Sequence, residues 1–282
     1  MKTQITKEEL YSLTQVKDSI FYLKLFVLIF LLFISFILIF YSTEAHWMFL
    51  GMIISGLMYA HATELQHQCL HYTAFKKKKI NRFFGVLLGL PMLVNFTSYR
   101  KQHLQHHQKI GSEEDVEFFS YPKTDNRLSF FLHAFSLKRY FRLFLHFFKC
   151  KDSLKNNIII LTFPLLLFCS CTFFHSLIFV KFWLIPVILI SEPIHYFIEI
   201  PEHYFCNKND RAPFENTRTI AGNKISFWFT NGNNFHVEHH LFSSIPIHNL
   251  PKLNKLIKNQ TKYLNRSYFE FYKSIFLLRE KI

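Results

Sequence analysis

The feature that most constrains this chain is the apolar run from Ile20 to Tyr41, broken only by Lys24 and Ser35. About 20 nearly uncharged residues match the ~30 Å hydrocarbon core of a bilayer, so the run reads as a membrane-spanning helix. A second run starts near Trp47 and stays apolar to about Ala60. It then continues with helical character through His61-Ala62-Thr63-Glu64-Leu65-Gln66-His67. From Trp47 to His71 a helix would extend roughly 37 Å at about 1.5 Å per residue. One long helix is therefore expected to leave the bilayer and carry His67 and His71 into the aqueous or interfacial zone. Residues 157–180 and 182–200 form two further runs, which contain Pro164 and Pro186 and are parted only by Lys181, the pattern of a tight hairpin.

The expectation is one all-α integral membrane domain over residues 1–282. It has four transmembrane helices in two hairpins (about 20–41, 47–66, 157–180 and 182–200) and a cytoplasmic helical cap carrying a His-rich dimetal site. Residues 1–19 are a polar N-terminal segment in which Thr6-Lys7-Glu8-Glu9 suggests a helix start. Lys76-Lys77-Lys78-Lys79 with Arg82 is the strongest cytoplasmic signal. Residues 83–96 are apolar but short, which suits a re-entrant or interfacial helix, and residues 112–155 are basic and rich in Phe, which suits helices against the membrane surface. An even number of spans puts the cytoplasmic parts 67–155 and 201–282, both termini and every His cluster on one side.

The formal net charge is +14. Cytoplasmic loops obeying the positive-inside rule account for such an excess, as does a basic face that docks an acidic electron carrier or acyl carrier protein. No nucleic-acid partner is expected, because the basic residues flank apolar spans and form no reader motif. Cys69, Cys150, Cys169, Cys171 and Cys206 make no CxxC pair, so neither a disulfide framework nor a zinc ribbon is expected. The first apolar run is too long for a signal-peptide core.

Eight histidines fall in three clusters: His67 and His71; His103, His106 and His107; His236, His239 and His240. In the two HxxHH clusters the i, i+3, i+4 spacing places three imidazoles on one helix face. Such a face is costly to bury unless a transition metal satisfies the ring nitrogens. His203, at the end of the fourth run, is a ninth candidate. The set is too large for one metal and suits two, while imidazole alone does not choose among Fe, Cu, Zn and Ni. His46, His61, His133, His146, His175 and His248 read as ordinary surface or core residues. His195 lies in the fourth run with Glu192 and Glu199, where ionisable groups at membrane depth either support a site or pack helices.

The order HxxxH, HxxHH, HxxHH around two membrane hairpins resembles the membrane fatty acid desaturase superfamily. The match extends beyond the boxes. Tyr99-Arg100-Lys101-Gln102-His103-Leu104-Gln105-His106-His107 followed by Asp115 resembles one family stretch. Glu202-His203, Asn216-Thr217-Arg218-Thr219 and Asn234-Phe235-His236-Val237-Glu238-His239-His240-Leu241-Phe242 resemble another, continued by Ile245-Pro246 and Asn249-Leu250-Pro251. The chain departs from the family at Gln68, where an acidic residue is common, at Val116-Glu117, and at Ser244, where proline is usual.

The resemblance implies a centre of two iron ions with nine ligands: His67, His71, His103, His106, His107, His203, His236, His239 and His240. Glu199, one turn before His203, is the candidate to hold a metal-bound water. Glu64, Asp115, Glu202, Glu238 and Asn234 are candidates to orient the imidazoles. The implied reaction uses O2 to place a double bond in a fatty acyl chain linked to a lipid, CoA or carrier protein. No haem or flavin motif is present, so a separate ferredoxin- or cytochrome-type donor is implied. The same scaffold serves hydroxylases, ketolases and acetylenases. The remote alternatives are a bis-His haem protein, which needs one His from each of two facing helices, and a metal transporter, which holds its ligands at mid-membrane depth.

Overall fold

The computed structural model describes residues 5–112, 114–115, 127–136, 138, 140, 154–174, 177–207, 210 and 212–277. Val116-Glu117, His146, His175, Cys150 and most of the expected helical region 112–155 lie outside the described residues. The elements in chain order are helices α1 (Lys7–Leu13), α2 (Asp18–Tyr41), α3 (Ala45–Leu70), α4 (Lys78–Gly89), α5 (Phe96–Lys109), α6 (Arg127–Leu132), α7 (Leu154–Phe174) and α8 (Phe179–His203), followed by the turn α9 (Pro213–Asn216). Strand β1 (Arg218–Ile220), α10 (Lys224–Phe229), α11 (His236–Leu241), α12 (Leu250–Ile257), strand β2 (Tyr263–Asn265) and α13 (Tyr268–Leu277) complete the chain.

Three helices are long and apolar enough to cross a membrane: Lys7–Tyr41 (α1 run on into α2), α3 and α8. They mark the chain as a membrane protein. Helix α7 holds a shorter apolar stretch, Ile158–Cys171. The expected start at Thr6 is realised as a capping box, in which the Thr6 hydroxyl accepts from the Glu9 amide and the Glu9 carboxylate accepts from the Thr6 amide. Helix α3 is one uninterrupted element, and every residue from Met58 to Leu70 is buried. A helix buried on all sides has to satisfy its polar side chains internally. Accordingly Gln66 Nε2 donates to the Gly85 and Val94 carbonyls at 2.8 and 3.2 Å.

Three boundaries differ from expectation. Lys181 is not the hairpin link: it lies inside α8, and Leu177, just before that helix, is non-helical. The basic residues Lys78 and Lys79 open α4, so the expected segment 83–96 is the end of one helix, a turn and the start of the next, with Asn95 accepting from the Thr97 and Ser98 amides. The chain is not wholly α-helical. β1 and β2 pair in parallel, Arg218 opposite Tyr263 and Ile220 opposite Asn265. Runs of three residues are too short to show a strand period, so sequence pattern does not reveal them.

Helix α8 also departs from ideal geometry. Its first half is π-helical over Phe179–Leu184 and Val187–Ser191. Pro186 and Pro201 each lack the N–H that would bond four residues back, at Phe182 and Phe197. Both of those carbonyls accept a tyrosine hydroxyl from another element: Tyr59 of α3 to Phe182 at 2.7 Å, and Tyr272 of α13 to Phe197 at 2.6 Å. Helix α8 crosses α3 at Gly56, where an added Cβ would stand 2.6 Å from Ile190 Cβ. Ser191 Oγ donates to the Gly56 carbonyl there at 2.8 Å. This close crossing seats the His203 end of α8 beside the His67 end of α3. Gly56→Val is expected to destabilise the protein by about 1–3 kcal/mol through overpacking, and Tyr272→Phe by about 0.5–1.5 kcal/mol. Thermal unfolding in detergent measures both.

Candidate metal centre

Four elements converge at one end of the bundle: the end of α3, the middle of α5, the end of α8, and α11. They bring nine imidazoles into two groups. His67, His71, His103, His107 and His239 form one, and His106, His203, His236 and His240 the other; within each, the ligand atoms lie within 4.8 Å of one another. On a helix of 3.6 residues per turn, positions i and i+4 lie about 40° apart, whereas i+3 lies about 60° to the other side of i. That offset divides each HxxHH triplet. His103 and His107 face the first group and His106 the second, while His236 and His240 face the second and His239 the first. α5 and α11 thus serve both groups.

The inner edges of the rings are Nε2 atoms. His103 Nε2 is 2.7 Å from His67 Nε2, 2.9 Å from His71 Nε2 and 3.0 Å from His107 Nε2. His107 Nε2 is 3.0 Å from His239 Nε2. In the second group His106 Nε2 is 3.1 Å from His203 Nε2 and 3.2 Å from His240 Nε2, and His236 Nε2 is 3.0 Å from both His203 and His240. The outer edges decide what these contacts mean. His106 Nδ1 is 2.9 Å from both carboxylate oxygens of buried Asp115, and His203 Nδ1 is 3.0 Å from the Asn216 carbonyl. Those acceptors hold the Nδ1–H tautomer, so each Nε2 presents a lone pair. Two lone pairs facing at 3.1 Å are not a hydrogen bond, and a cation between them makes the contact favourable. Nitrogens sharing one metal at about 2.1 Å stand about 3 Å apart, so the donor set fits two metal ions.

The remaining candidates occupy varied places. Glu202 Oε2 lies 3.4 Å from His236 Nε2, facing the inner edge, while His236 Nδ1 is buried with no hydrogen-bond partner among the described residues. Glu199 Oε1 is 3.1 Å from His195 Nε2, and Glu64 Oε1 is 3.1 Å from His195 Nδ1. Glu64 also accepts from Asn233. Glu238 accepts from Thr219 Oγ1 and Asn254 Nδ2, both at 2.6 Å, and Asn234 Nδ2 donates to the Ile220 carbonyl at 2.7 Å. Glu238 and Asn234 therefore fasten α11 to β1 and α12. Gln68 accepts from Asn231 Nδ2 and donates to the Thr73 carbonyl.

Other site residues carry little signal in the sequence. Lys24, an interruption in the first apolar run, donates to Asn231 Oδ1 at 2.5 Å and so ties α2 to the loop that presents α11. Arg218 is buried with no carboxylate partner among the described residues. Its guanidinium donates to the carbonyls of Pro201 and Tyr204, at the end of α8 beside His203, and to Asn265 Oδ1. The available cues are the place of Arg218 in the Asn216-Thr217-Arg218-Thr219 stretch and the polar run Thr230-Asn231-Gly232-Asn233-Asn234, all of it buried.

The profile of the family described as fatty acid desaturase matches residues 45–272. The chain belongs to the fatty acid desaturase family. Among its relatives, a protein named as a sphingolipid delta(4)-desaturase/C4-monooxygenase of Caenorhabditis elegans is 30% identical over 267 residues, covering 88% of this chain and 68% of that protein. An oleoyl-12-hydroxylase of Ricinus communis is 29% identical over 86 residues, 30% of this chain and 21% of that protein. An acyl-lipid (9-3)-desaturase of Physcomitrium patens is 50% identical over 42 residues, 15% of this chain and 8% of that protein. These likenesses support an oxidoreductase of the fatty acid desaturase type.

The electrostatics of this desaturase-family site favour metal binding. Burial first, and then repulsion between neighbouring imidazoles, holds His71, His103, His107, His236, His239 and His240 well below the ordinary value of 6.5. The rings stay neutral and their lone pairs free. The sign of the linkage follows. Below about pH 6.5 the unfolded chain takes up protons at these positions and the folded chain does not, so stability falls as the pH falls. The metal-free protein is expected to lose thermal stability steadily between pH 7.5 and 5.5, with more than one proton taken up on unfolding. Circular dichroism melts across that range measure it; a flat profile contradicts the assignment of these rings as buried and neutral.

Proposed function

We propose that the chain is an O2-dependent desaturase that introduces a double bond into a fatty acyl chain linked to a lipid, CoA or carrier protein. The observation that carries this reading is the pair of converging imidazole groups, whose Nε2 lone pairs face one another while the Nδ1 edges of His106 and His203 are held from outside. Two iron ions fit there, with His67, His71, His103, His107 and His239 holding one and His106, His203, His236 and His240 the other. Bound iron supplies the O2-derived oxidising power that breaking an unactivated C–H bond demands and that acid–base side chains lack. The chain's own residues do the rest. Asp115 accepts a hydrogen bond from His106 Nδ1–H, and the Asn216 carbonyl one from His203 Nδ1–H, which fixes ring orientation and raises ligand basicity. Glu199 and Glu202 offer carboxylates near the inner edges where a water could be held. Glu64, Glu238 and Asn234 act through the elements they tie together.

The membrane arrangement belongs to the same reading. The three long apolar helices and the apolar stretch of α7 make four spans in two hairpins of a single domain. Both termini and the histidine groups lie on the cytoplasmic side. Electrons come from a separate ferredoxin- or cytochrome-type carrier. A second outcome, hydroxylation, is favoured by one observation: two of the relatives carry monooxygenase or hydroxylase in their names. The two outcomes differ in where the acyl carbons sit relative to the oxidant, to within about an ångström.

Expression in a host with suitable electron carriers is expected to yield a new acyl, sphingoid or carrier-bound product lighter by two hydrogens. A product heavier by one oxygen selects the hydroxylase outcome, and no new product in any pool refutes both. In the purified protein, His106→Ala or His239→Ala is expected to lower bound iron, and Asp115→Ala to weaken iron affinity roughly 10- to 100-fold while the protein stays folded. Elemental analysis against circular dichroism separates lost metal from lost fold.

A further inference from the structure

The loop between α3 and α4 is built more rigidly than a connection requires. Thr73, Ala74 and Phe75 are buried, and so is the Asn81 side chain beneath them. Asn81 Oδ1 accepts from the Ala74 and Phe75 amides, both at 3.2 Å, and its Nδ2 donates to the Phe75 and Lys77 carbonyls at 2.6 and 3.0 Å. Phe75 packs on Phe21 and Phe84, with ring centroids 4.9 and 5.1 Å away.

From this platform project Lys76, Lys77, Lys78, Lys79 and Arg82, all exposed. At its inner end stands Tyr72, next in sequence to His71. Tyr72 is held in the left-handed region at φ 57°, which is unfavourable for an aromatic residue. Three cations surround its ring. Arg100 Cζ is 4.4 Å from the centroid, Lys78 Nζ 5.8 Å and Arg82 Cζ 6.0 Å. Arg82 Nε donates to the Tyr72 hydroxyl at 3.0 Å, and Arg100 Nε to the Leu70 carbonyl at 2.8 Å. Exposed Lys101 extends the face along α5.

None of these seven cations is paired with a carboxylate among the described residues, whereas Lys109 pairs with Glu114 and Lys262 with Glu215. The first turn of α4 carries lysines and no acidic residue, the reverse of what its dipole favours. Local stability therefore does not account for the charge. The positive-inside rule explains loose lysines beside a span. It does not explain two arginines pinned over a tyrosine in a fixed frame, which is the composition of a protein–protein contact.

We propose that this face, centred on Tyr72 with Lys78, Arg82 and Arg100, docks the acidic one-electron carrier protein that feeds the site. The inference rests on the redox reading above. Forming one double bond removes two hydrogens from the acyl chain. It reduces one O2 to two waters with two further electrons and two protons, so each turnover oxidises two carriers by one electron each. Docking here brings the carrier against the residue next to His71, at the edge of the five-histidine group. Complementary charge speeds such encounters and makes them salt-sensitive.

The test uses the full-length, iron-loaded protein in nanodiscs of phosphatidylcholine. The probes are a reduced plant-type [2Fe–2S] ferredoxin, an acidic cytochrome and, as a reductant needing no docking, reduced methyl viologen. K78E/R82E is expected to raise KM for at least one protein carrier tenfold or more at low salt and to flatten its salt dependence. Turnover with viologen and iron content should stay at the wild-type level. K252E/K255E, a charge reversal on α12, should change neither. The milder K78Q/R82Q serves if the reversal fails to fold. An unchanged KM for both carriers overturns the proposal. So does a defect confined to binding phosphatidylserine vesicles, which would make the face a lipid-headgroup surface. Wild-type protein that forms no desaturated or hydroxylated acyl product even with viologen refutes the oxidase reading instead. Sedimentation of oxidised carrier with the nanodiscs then tests docking by itself, and equal binding by wild type and variant overturns it.

Discussion

Nine imidazole Nε2 atoms crowd into two buried groups, with His106 and His203 turned lone pair inward, and the rest of the molecule is arranged around that unfavourable fact. Outer acceptors on His106 and His203 prevent those rings from turning their N–H groups inward. Burial and mutual repulsion keep the rings neutral. A cation in each group would turn those contacts from unfavourable to favourable, so metal binding at such a centre would add directly to folding stability.

Holding four elements in register against that repulsion falls to buried hydrogen bonds. Asn81 locks the chain that follows His71. Lys24 and Asn231 pin the loop before α11 to α2 and α3. Arg218 grips the carbonyls at the end of α8, and the small parallel sheet closes the far side. The ties of Lys24, Asn231 and Arg218 join separate elements, Asn81 acts within its own loop, and each leaves a buried polar group unpaired if one partner is lost, which costs more than the bond itself contributes. The same logic governs α8, where Pro186 and Pro201 free carbonyls that tyrosines of α3 and α13 then satisfy. A helix that carries a candidate ligand at its tip is thereby fixed along its length.

Charge has two roles in different places. Inside, the carboxylates are few and committed to named partners. Outside, the cations around Tyr72 have no carboxylate partner among the described residues and are rigidly presented. That division is what the proposed reading requires, an apolar interior for an acyl chain and a charged surface for a carrier protein.

The sequence by itself determined the family, the helical character, the long reach of α3 and the nine candidate histidines, because helical periodicity and HxxHH spacing are local properties of the chain. It did not determine which histidine joins which group: the split within each triplet is a local helical offset, but only the crossing of α5 and α11 decides which side of one helix meets which side of the other. Nor did it reveal the partners of His195 or of Lys24, since a lone ionisable residue in an apolar run looks alike whether it bonds across 207 positions or none. Lys181 was misleading as a hairpin mark because a charge near a helix start resembles a loop charge. Glu238 and Asn234 sit beside histidines in sequence, yet in space their side chains turn to β1 and α12. Tertiary structure decided these points for one physical reason: a buried polar group is defined by the neighbour that satisfies it, and that neighbour is rarely close in the chain.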